Sequence, residues 1–467
     1  MPKNLFKNIT LLSLFALTRL VNLSAFPPFV DELLYFRWVK TITSFPSQFM
    51  LPVIEDGQPP LYLWLGSLIS QVTHLDPVLI LRLISILFGA ATLYLIVRLG
   101  TLIHSRRLGY ILGILYILFP MFLWYDRLAM RESMITFAGL LNIIGLYLRF
   151  YHHSILIGTK LILTGLLLGL LTKATALLFV PIIISCYFYN YYKKKLVRTD
   201  YFLLATITLI LLGILFYAQS IVVKGSSFLL SPQVILSHLY SNMYSTIQWL
   251  VGYSTLPLIF LYCFGIYKLY FYNKSLAIWS TYFLGLIIGI EIVIAKIYFP
   301  RYFLWVMPLY LFPIGWGILE LSKSKLGKLF VVICLIPLLR FDYLLITNPI
   351  MAPFPAIERW QYISGWPSGY GISSITELVK NNPSDYLVVE KNEACRTGLS
   401  YYGFVLPKLI EFEDDKAIKS ALSSGYKANL CQSQQYPKKG MVVTNIGEVS
   451  RPGGESSLRL NNLVSYE

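Results

Sequence analysis

The chain has 467 residues, of which 56% are hydrophobic and 13% charged, with a mean hydropathy of +0.63. A soluble enzyme carries about 25% charged residues, so a soluble multidomain protein is excluded. The formal charge is +16, from 39 Lys and Arg against 23 Asp and Glu. A surplus of that sign fits nucleic acid, an acidic partner or the cytoplasmic side of a membrane.

Position separates these. The long apolar runs stop at Asn348, and residues 348–467 hold 12 basic and 12 acidic side chains. The other 27 basic and 11 acidic residues lie in 1–347, clustered between apolar segments. That is the pattern of the positive-inside rule, not of a nucleic-acid footprint. Two domains follow: 1–347 in the membrane and 348–467 outside it.

In chain order, the first apolar segment covers 8–28 after Lys3 and Lys7. Arg19 interrupts it and no clear small-x-small site follows, so it reads as an uncleaved span rather than a signal peptide. Further spans are predicted over 78–99, 109–125, 133–149, 155–172, 174–191, 201–222, 251–271, 276–295, 302–320 and 328–346, each near the ~20 residues a bilayer requires. The total is about eleven.

Alternate connections hold Arg98/Arg106/Arg107, Arg149, Lys193–Lys195 with Arg198, Lys268/Lys274 and Lys323/Lys325/Lys328, and are read as cytoplasmic. The others hold Asp31/Glu32, Asp126/Arg127/Arg131/Glu132, Lys173, Lys224 and Lys296/Arg301. These are richer in acid and face the exterior. The expectation is a multi-pass protein of the plasma (inner) membrane, with a cytoplasmic N-terminus and an extracytoplasmic C-terminal domain. In that domain Ile372–Lys380 and Asp415–Ser423 read as short helices, and Tyr386–Glu390 and Gly440–Asn445 as strands, giving a small α/β fold. An exterior location permits a Cys395–Cys431 disulfide.

A charge at the bilayer centre costs roughly 2.5–3.5 kcal/mol on insertion scales, so the location of ionisable groups is informative. Six of the 11 acids in 1–347 fall in the first two external connections: Asp31, Glu32, Glu55, Asp56, Asp126 and Glu132. That places a chemical site at the outer membrane surface, whereas a transporter concentrates such groups at the midplane. By itself the Asp31-Glu32 pair fits a solvated cap, a headgroup contact or a base. Gln58-Pro59-Pro60-Leu61-Tyr62-Leu63-Trp64 reads as a turn that starts an aromatic-rich helix. Asp126 beside Arg127 reads as a local ion pair, and His238 as a surface residue. Arg127, Arg131, Lys173 and Arg301 would suit a phosphate, Arg by a bidentate fork and Lys as a point charge.

The motif order resembles a known family. Arg19 precedes Asp31-Glu32, then Pro59-Pro60-Leu61-Tyr62 with Trp64, then Arg82-Leu83 with Gly89. Arg127-Leu128-Ala129, Arg131-Glu132, Leu171-Thr172-Lys173 and Pro300-Arg301-Tyr302 complete it. Over roughly residues 10–320 this is similar to the family-39-like GT-C glycosyltransferases, which include protein O-mannosyltransferases and the lipid A aminoarabinose transferases. The resemblance implies a polytopic α-helical GT-C fold. It also implies transfer of a sugar, usually with inversion, from a polyprenyl-phosphate donor to a lipid, glycan or protein acceptor at the exterior face.

It further implies Asp31 as the base that activates the acceptor, with Glu32 and Glu132 as supporting acids. Arg127, Lys173 and Arg301 would hold the donor phosphate, joined by Arg131, and Gln58, Tyr62 and Tyr302 would line the substrate site. Relatives often carry Lys or His before the double proline, where this chain has Gln58, which brings no charge. Glu55 and Asp56 are candidate ligands for a divalent cation, with no His-rich set beside them. The segment Arg359–Ile372 is also similar to the external tails of bacterial relatives. There Trp360, Trp366 and Tyr370 would form an aromatic sugar platform or pack the tail. The rival readings are a transporter or lipid flippase, and a scaffold working through its external domain.

Overall fold

The computed structural model describes residues 3–193, 200–201, 203–209, 232–295, 298–365 and 367–370, together with 387–390, 401–402, 409–412, 429–433 and 444–445. The chain divides into two compact units. Met1–Val21, Thr41–Leu75 and Leu79–Pro353 make the first, and Asn22–Lys40, Asp76–Val78 and Phe354–Glu467 make the second.

The helices are α1 (Lys3–Leu20), α2 (Val30–Ser44), α3 (Leu51–Asp56), α4 (Leu61–Thr73), α5 (Pro77–Ile103), α6 (Arg106–Leu118) and α7 (Pro120–Asp126). They continue with α8 (Glu132–Phe150), α9 (Ile155–Thr172), α10 (Phe179–Tyr192), α11 (Pro232–Tyr272), α12 (Lys274–Ile294), α13 (Met307–Leu321) and α14 (Lys325–Thr347). Short 3-10 turns cover Ala174–Leu178 and Pro300–Val306. Among the described residues eight helical segments are long and apolar enough to cross a membrane, or nine when the bent pair α6 and α7 counts as one. In lipid a spanning helix satisfies its own backbone groups. The protein is an integral multi-pass membrane protein.

Nine of the predicted spans coincide with these segments. Helix α1 is not among them: it ends at Leu20 and its 18 residues include Lys3, Lys7 and Arg19. The predicted span 201–222 lies outside the described residues beyond Leu209.

Polar caps start helices after the basic turns. Ser105 accepts from the Leu108 N–H, Asn273 from Leu276 and Ser324 from Gly327, each supplying a partner for an otherwise unpaired helix N–H. Prolines break two spans. Phe119 is extended, and Pro120 starts α7 at 65° to α6, because the residue before a proline is driven out of the helical region. In α11, Thr255 sits at φ 60°, ψ 158° just before Pro257. Pro60 immediately precedes α4, as the paired prolines imply.

The core of the first unit is the segment 300–321, almost wholly buried, around Trp124, Trp305 and Trp316. Helices α8 and α9 approach so closely that a Cβ on Gly145 would lie 2.8 Å from the Gly158 carbonyl oxygen, and one on Gly158 2.7 Å from that of Gly145. Only glycine fits that crossing.

In the second unit, the Val30 N–H at the start of α2 donates to the Pro367 carbonyl (2.9 Å). The Phe29 and Tyr362 rings meet edge to face at 4.8 Å, and Phe26 and Tyr370 at 5.7 Å. Burial pushes the Tyr370 hydroxyl up to about 12. Four strands are described: β1 (Leu387–Glu390), β2 (Leu409–Phe412), β3 (Asn429–Ser433) and β4 (Thr444–Asn445). Their order is β2-β1-β3-β4, with β1 parallel to β2 and β3, and β4 antiparallel to β3. Both expected strand regions thus contain strand residues. The expected helices 372–380 and 415–423, with Cys395 and Trp366, lie outside the described residues.

Candidate active site

The connection between α7 and α8 carries four charged side chains with two distinct functions in the structure. Asp126 is fully buried and pairs not with its neighbour Arg127 but with Arg19 of α1, whose Nε and Nη2 both lie 3.3 Å from Asp126 Oδ2. The α7 terminus aims the Asp126 carboxylate inward, so sequence adjacency to Arg127 does not decide its partner. Ser133 donates to it at 2.7 Å and Tyr116 at 3.1 Å. A Cβ on Gly89 would come within 2.8 Å of this carboxylate. Glycine there gives it room.

Arg127 turns the other way. Its Nη1 donates to the carbonyls of Thr18 (2.9 Å), Arg19 (3.3 Å) and Val21 (2.8 Å). It thereby caps α1 at the end where helix carbonyls lack partners and the dipole favours a cation. Burial, with Arg19 and Arg82 nearby, brings Arg127 down to about 10.

The second function starts at Glu132, in the first turn of α8, where an acid suits the helix dipole. Glu132 Oε1 accepts from Lys173 Nζ at 2.7 Å, with side chains 2% and 12% exposed. Lys173 ends α9 in extended conformation (φ −157°, ψ 139°), which turns its side chain back towards α8. Its ammonium lies 5.1 Å from the Tyr302 ring. Arg301 stands over Phe299 (5.0 Å) and Tyr302 (5.8 Å), within electrostatic reach of both Lys173 and Glu132. Burial holds the Lys173 ammonium below the usual lysine range; Glu132 opposes that shift, and Arg301 and Arg131 add to it.

Arg131 closes this cluster. Its guanidinium donates to the Thr172 carbonyl (3.3 Å) and to Gln58 Oε1, while Gln58 Nε2 donates to Asp56 Oδ2 at 2.8 Å. The neutral Gln58 is therefore a relay between an arginine and an acid. Glu55 and Asp56 are exposed, and no group of three or more His, Cys, Asp or Glu side chains converges among the described residues.

Tyr62 is fully buried. Its hydroxyl donates to the Leu81 carbonyl (2.8 Å) and contacts Ser85 Oγ (2.9 Å), which in turn donates to the Met130 carbonyl (2.8 Å). It fixes the loop that carries Arg131. In the second unit, Asp31 and Glu32 occupy the first turn of α2. Glu32 is fully buried and its Oε2 accepts from the Phe29 N–H at 3.3 Å, one half of a capping box. Asp31 beside it is half-buried.

Of the expected site residues, the first unit gathers Gln58, Arg131, Glu132, Lys173, Arg301 and Tyr302. Arg127 and Tyr62 bond the surrounding backbone, and Asp31 and Glu32 belong to the second unit. Sequence reasoning passed over three buried acids of the first unit, Asp200, Glu291 in α12 and Asp342 in α14, which are 2%, 3% and 6% exposed. For Glu291 and Asp342 the signal was available: each is an acid inside a predicted span, which by default marks function.

No known family profile matches the chain, and no curated protein sequence matches it. Solved structures do. The fold is similar to that of ArnT from Cupriavidus metallidurans in the apo state, with a TM-score of 0.58 at 10% identity over 91% of this chain and 92% of that one. The same protein bound to undecaprenyl phosphate gives 0.50 at 12% identity, over 85% and 74%. The apo oligosaccharyltransferase of Archaeoglobus fulgidus gives 0.50 at 14% identity, over 85% and 63%. Likeness at this level of identity speaks to architecture alone: the chain folds like ArnT, one of the group that the motif order resembles.

Proposed function

We propose that the protein is a membrane glycosyltransferase that moves a sugar, with inversion, from a polyprenyl-phosphate donor to a lipid, glycan or protein acceptor at the extracytoplasmic face. The observation that carries this reading is the Glu132–Lys173 pair, buried at the ends of two apolar helices with Arg301 and Arg131 in electrostatic reach. Cations outnumber the acid they face, at the ends of apolar helices. That chemistry suits an anionic lipid headgroup. A bound undecaprenyl phosphate in ArnT, which shares the fold, supports the donor class.

In this reading Lys173, Arg301 and Arg131 hold the phosphate, and Gln58 and Tyr302 orient them. Asp31 takes the proton of the acceptor hydroxyl. The freed oxygen attacks the anomeric carbon opposite the phosphate. The carbon–oxygen bond to phosphate breaks with its electron pair on the leaving oxygen, whose charge the cations stabilise. Carboxylates such as Glu132 favour the positive charge that develops on the sugar ring. Glu32, Arg127 and Tyr62 are positioning residues. The N-terminus is cytoplasmic and residues 348–467 are extracytoplasmic.

The test is transfer by purified protein in lipid nanodiscs, using donor identified by mass spectrometry of polyprenyl-linked glycans that accumulate in a deletion strain. Folded Asp31→Asn protein should lose transfer while still binding undecaprenyl phosphate. Transfer at the wild-type rate sinks the reading.

The break in α11 at Thr255, together with the buried Asp342, favours transport as the second reading, since transporters use interrupted helices and intramembrane acids. Counterflow in liposomes without any covalent product would support it.

A further inference from the structure

We propose that Glu291 is a specificity-determining residue of this site, whose carboxylate accepts hydrogen bonds from hydroxyl groups of the transferred sugar. The inference rests on the glycosyltransferase reading and adds to it a residue that none of the sequence motifs contains.

Glu291 stands in the last turn of α12 and is buried. Among the described residues, neither of its carboxylate oxygens has a hydrogen-bond partner. Its backbone is held in place. The Ala295 N–H donates to the Glu291 carbonyl (3.0 Å), and Asn242 Nδ2 of α11 donates to the carbonyls of Ile292 (3.0 Å) and Ala295 (2.9 Å). The helix end is thus capped from a neighbouring span, which restricts the side chain to the interior.

Lys173 lies within electrostatic reach of Glu291, but its ammonium is bonded to Glu132 at 2.7 Å. The Tyr298 hydroxyl, also in reach, is engaged with Thr246 Oγ1 at 2.8 Å. The second oxygen of Glu132 is likewise buried and unpartnered among the described residues. Two acids within electrostatic reach of one committed lysine therefore carry acceptors that are unbonded among the described residues.

Leaving a buried polar group unsatisfied costs about 1–3 kcal/mol, more for a charged one, and folded proteins keep few such groups without use. The phosphate already has its cations in Lys173, Arg301 and Arg131, and Glu291 adds none, so it is not assigned to the lipid headgroup. What it suits is a ligand rich in hydrogen-bond donors next to that headgroup. In a phosphate-linked glycolipid, the sugar hydroxyls meet that description.

The test measures binding of bare undecaprenyl phosphate, and of undecaprenyl phosphate carrying glucose, mannose or galactose, to full-length protein in nanodiscs. Wild type should bind the bare lipid phosphate and prefer at least one loaded lipid by roughly tenfold or more. Glu291→Met should bind the bare lipid within about twofold of wild type while losing roughly tenfold or more of that preference, and Glu291→Gln, which keeps one acceptor, should fall between. Failure of wild type to bind the bare lipid would instead sink the glycosyltransferase reading itself. If wild type binds it, the proposal is overturned when wild type shows no sugar preference. It is also overturned when Glu291→Met keeps the preference, or loses the bare lipid as well.

Discussion

Lys173 Nζ lies 2.7 Å from Glu132 Oε1, joining the end of α9 to the first turn of α8 across 41 residues of sequence. Both side chains are almost fully buried. Removing one partner of such a pair costs about 3–5 kcal/mol, whereas replacing both with apolar groups is often neutral. Lys173→Met should therefore lower the thermal unfolding midpoint in detergent markedly, and Lys173→Met/Glu132→Leu should recover most of the loss. A double variant as unstable as the single one would show that packing, not charge pairing, holds the two helices.

Burial holds the Lys173 ammonium below the usual lysine range, which gives binding a pH signature. Anion binding needs the protonated amine, and that form is lost as pH rises through the lowered value. Undecaprenyl phosphate affinity should therefore fall with rising pH earlier than an exposed lysine, near 10.4, would allow. Lys173→Arg keeps its charge and should move the fall to higher pH. Titrating affinity against pH for both proteins checks this, and superimposable curves would remove Lys173 from the phosphate site.

Arg127 and Arg301 should separate experimentally. Arg127 bonds three carbonyls at the end of α1, so Arg127→Gln should cost stability, about 1–3 kcal/mol, with KM for the donor unchanged. Arg301→Gln should weaken lipid-phosphate binding roughly ten- to hundredfold. Unfolding midpoints and binding isotherms of the two variants, measured side by side, decide the assignment.

Gly89→Ala would bring a methyl to 2.8 Å from the Asp126 carboxylate. The carboxylate is held by Arg19, Tyr116 and Ser133 and has little freedom to retreat. A loss of about 1–3 kcal/mol is expected, as for other overpacked cores. Combining Gly89→Ala with Asp126→Ala should cost less than the sum of the two single changes. Strict additivity would place the strain elsewhere.

Much of this was legible from residue order. The apolar runs mark the spans because only helices satisfy their backbone in lipid, and Pro60 and Ser324 mark helix starts through chemistry local to a few residues. Arg131, Glu132, Lys173 and Arg301 were identifiable as charges at span ends. Their division of labour was not. Whether an arginine bonds a helix terminus or faces a ligand depends on partners such as Thr18, which lies 109 residues from Arg127. The Arg19–Asp126 pair is hidden for the same reason: Arg127 is the nearer candidate in sequence. Glu291 is hard to single out by sequence because a lone acid in the last turn of α12 looks like a charge at a span end, and its burial depends on neighbouring helices.

The burial of Arg127, Arg131 and Arg149, at 5%, 3% and 3% exposure, changes how membrane orientation should be counted. A cation steers insertion while it is hydrated and near lipid headgroups. In the folded protein Arg149 is paired with Asp200, Arg127 bonds backbone carbonyls and Arg131 is drawn into the candidate site, so none of the three is available to the bulk lipid headgroups. Setting all three aside removes both arginines from the acidic connection before α8 and one from the connection after it. Exposed cations that remain on the connections read as cytoplasmic include Arg98, Arg106, Arg107, Lys193, Lys274, Lys323, Lys325 and Lys328, against Lys40 on the first connection read as exterior. Charge-reversal at those exposed positions, and not at the buried arginines, is where a topology reporter should respond.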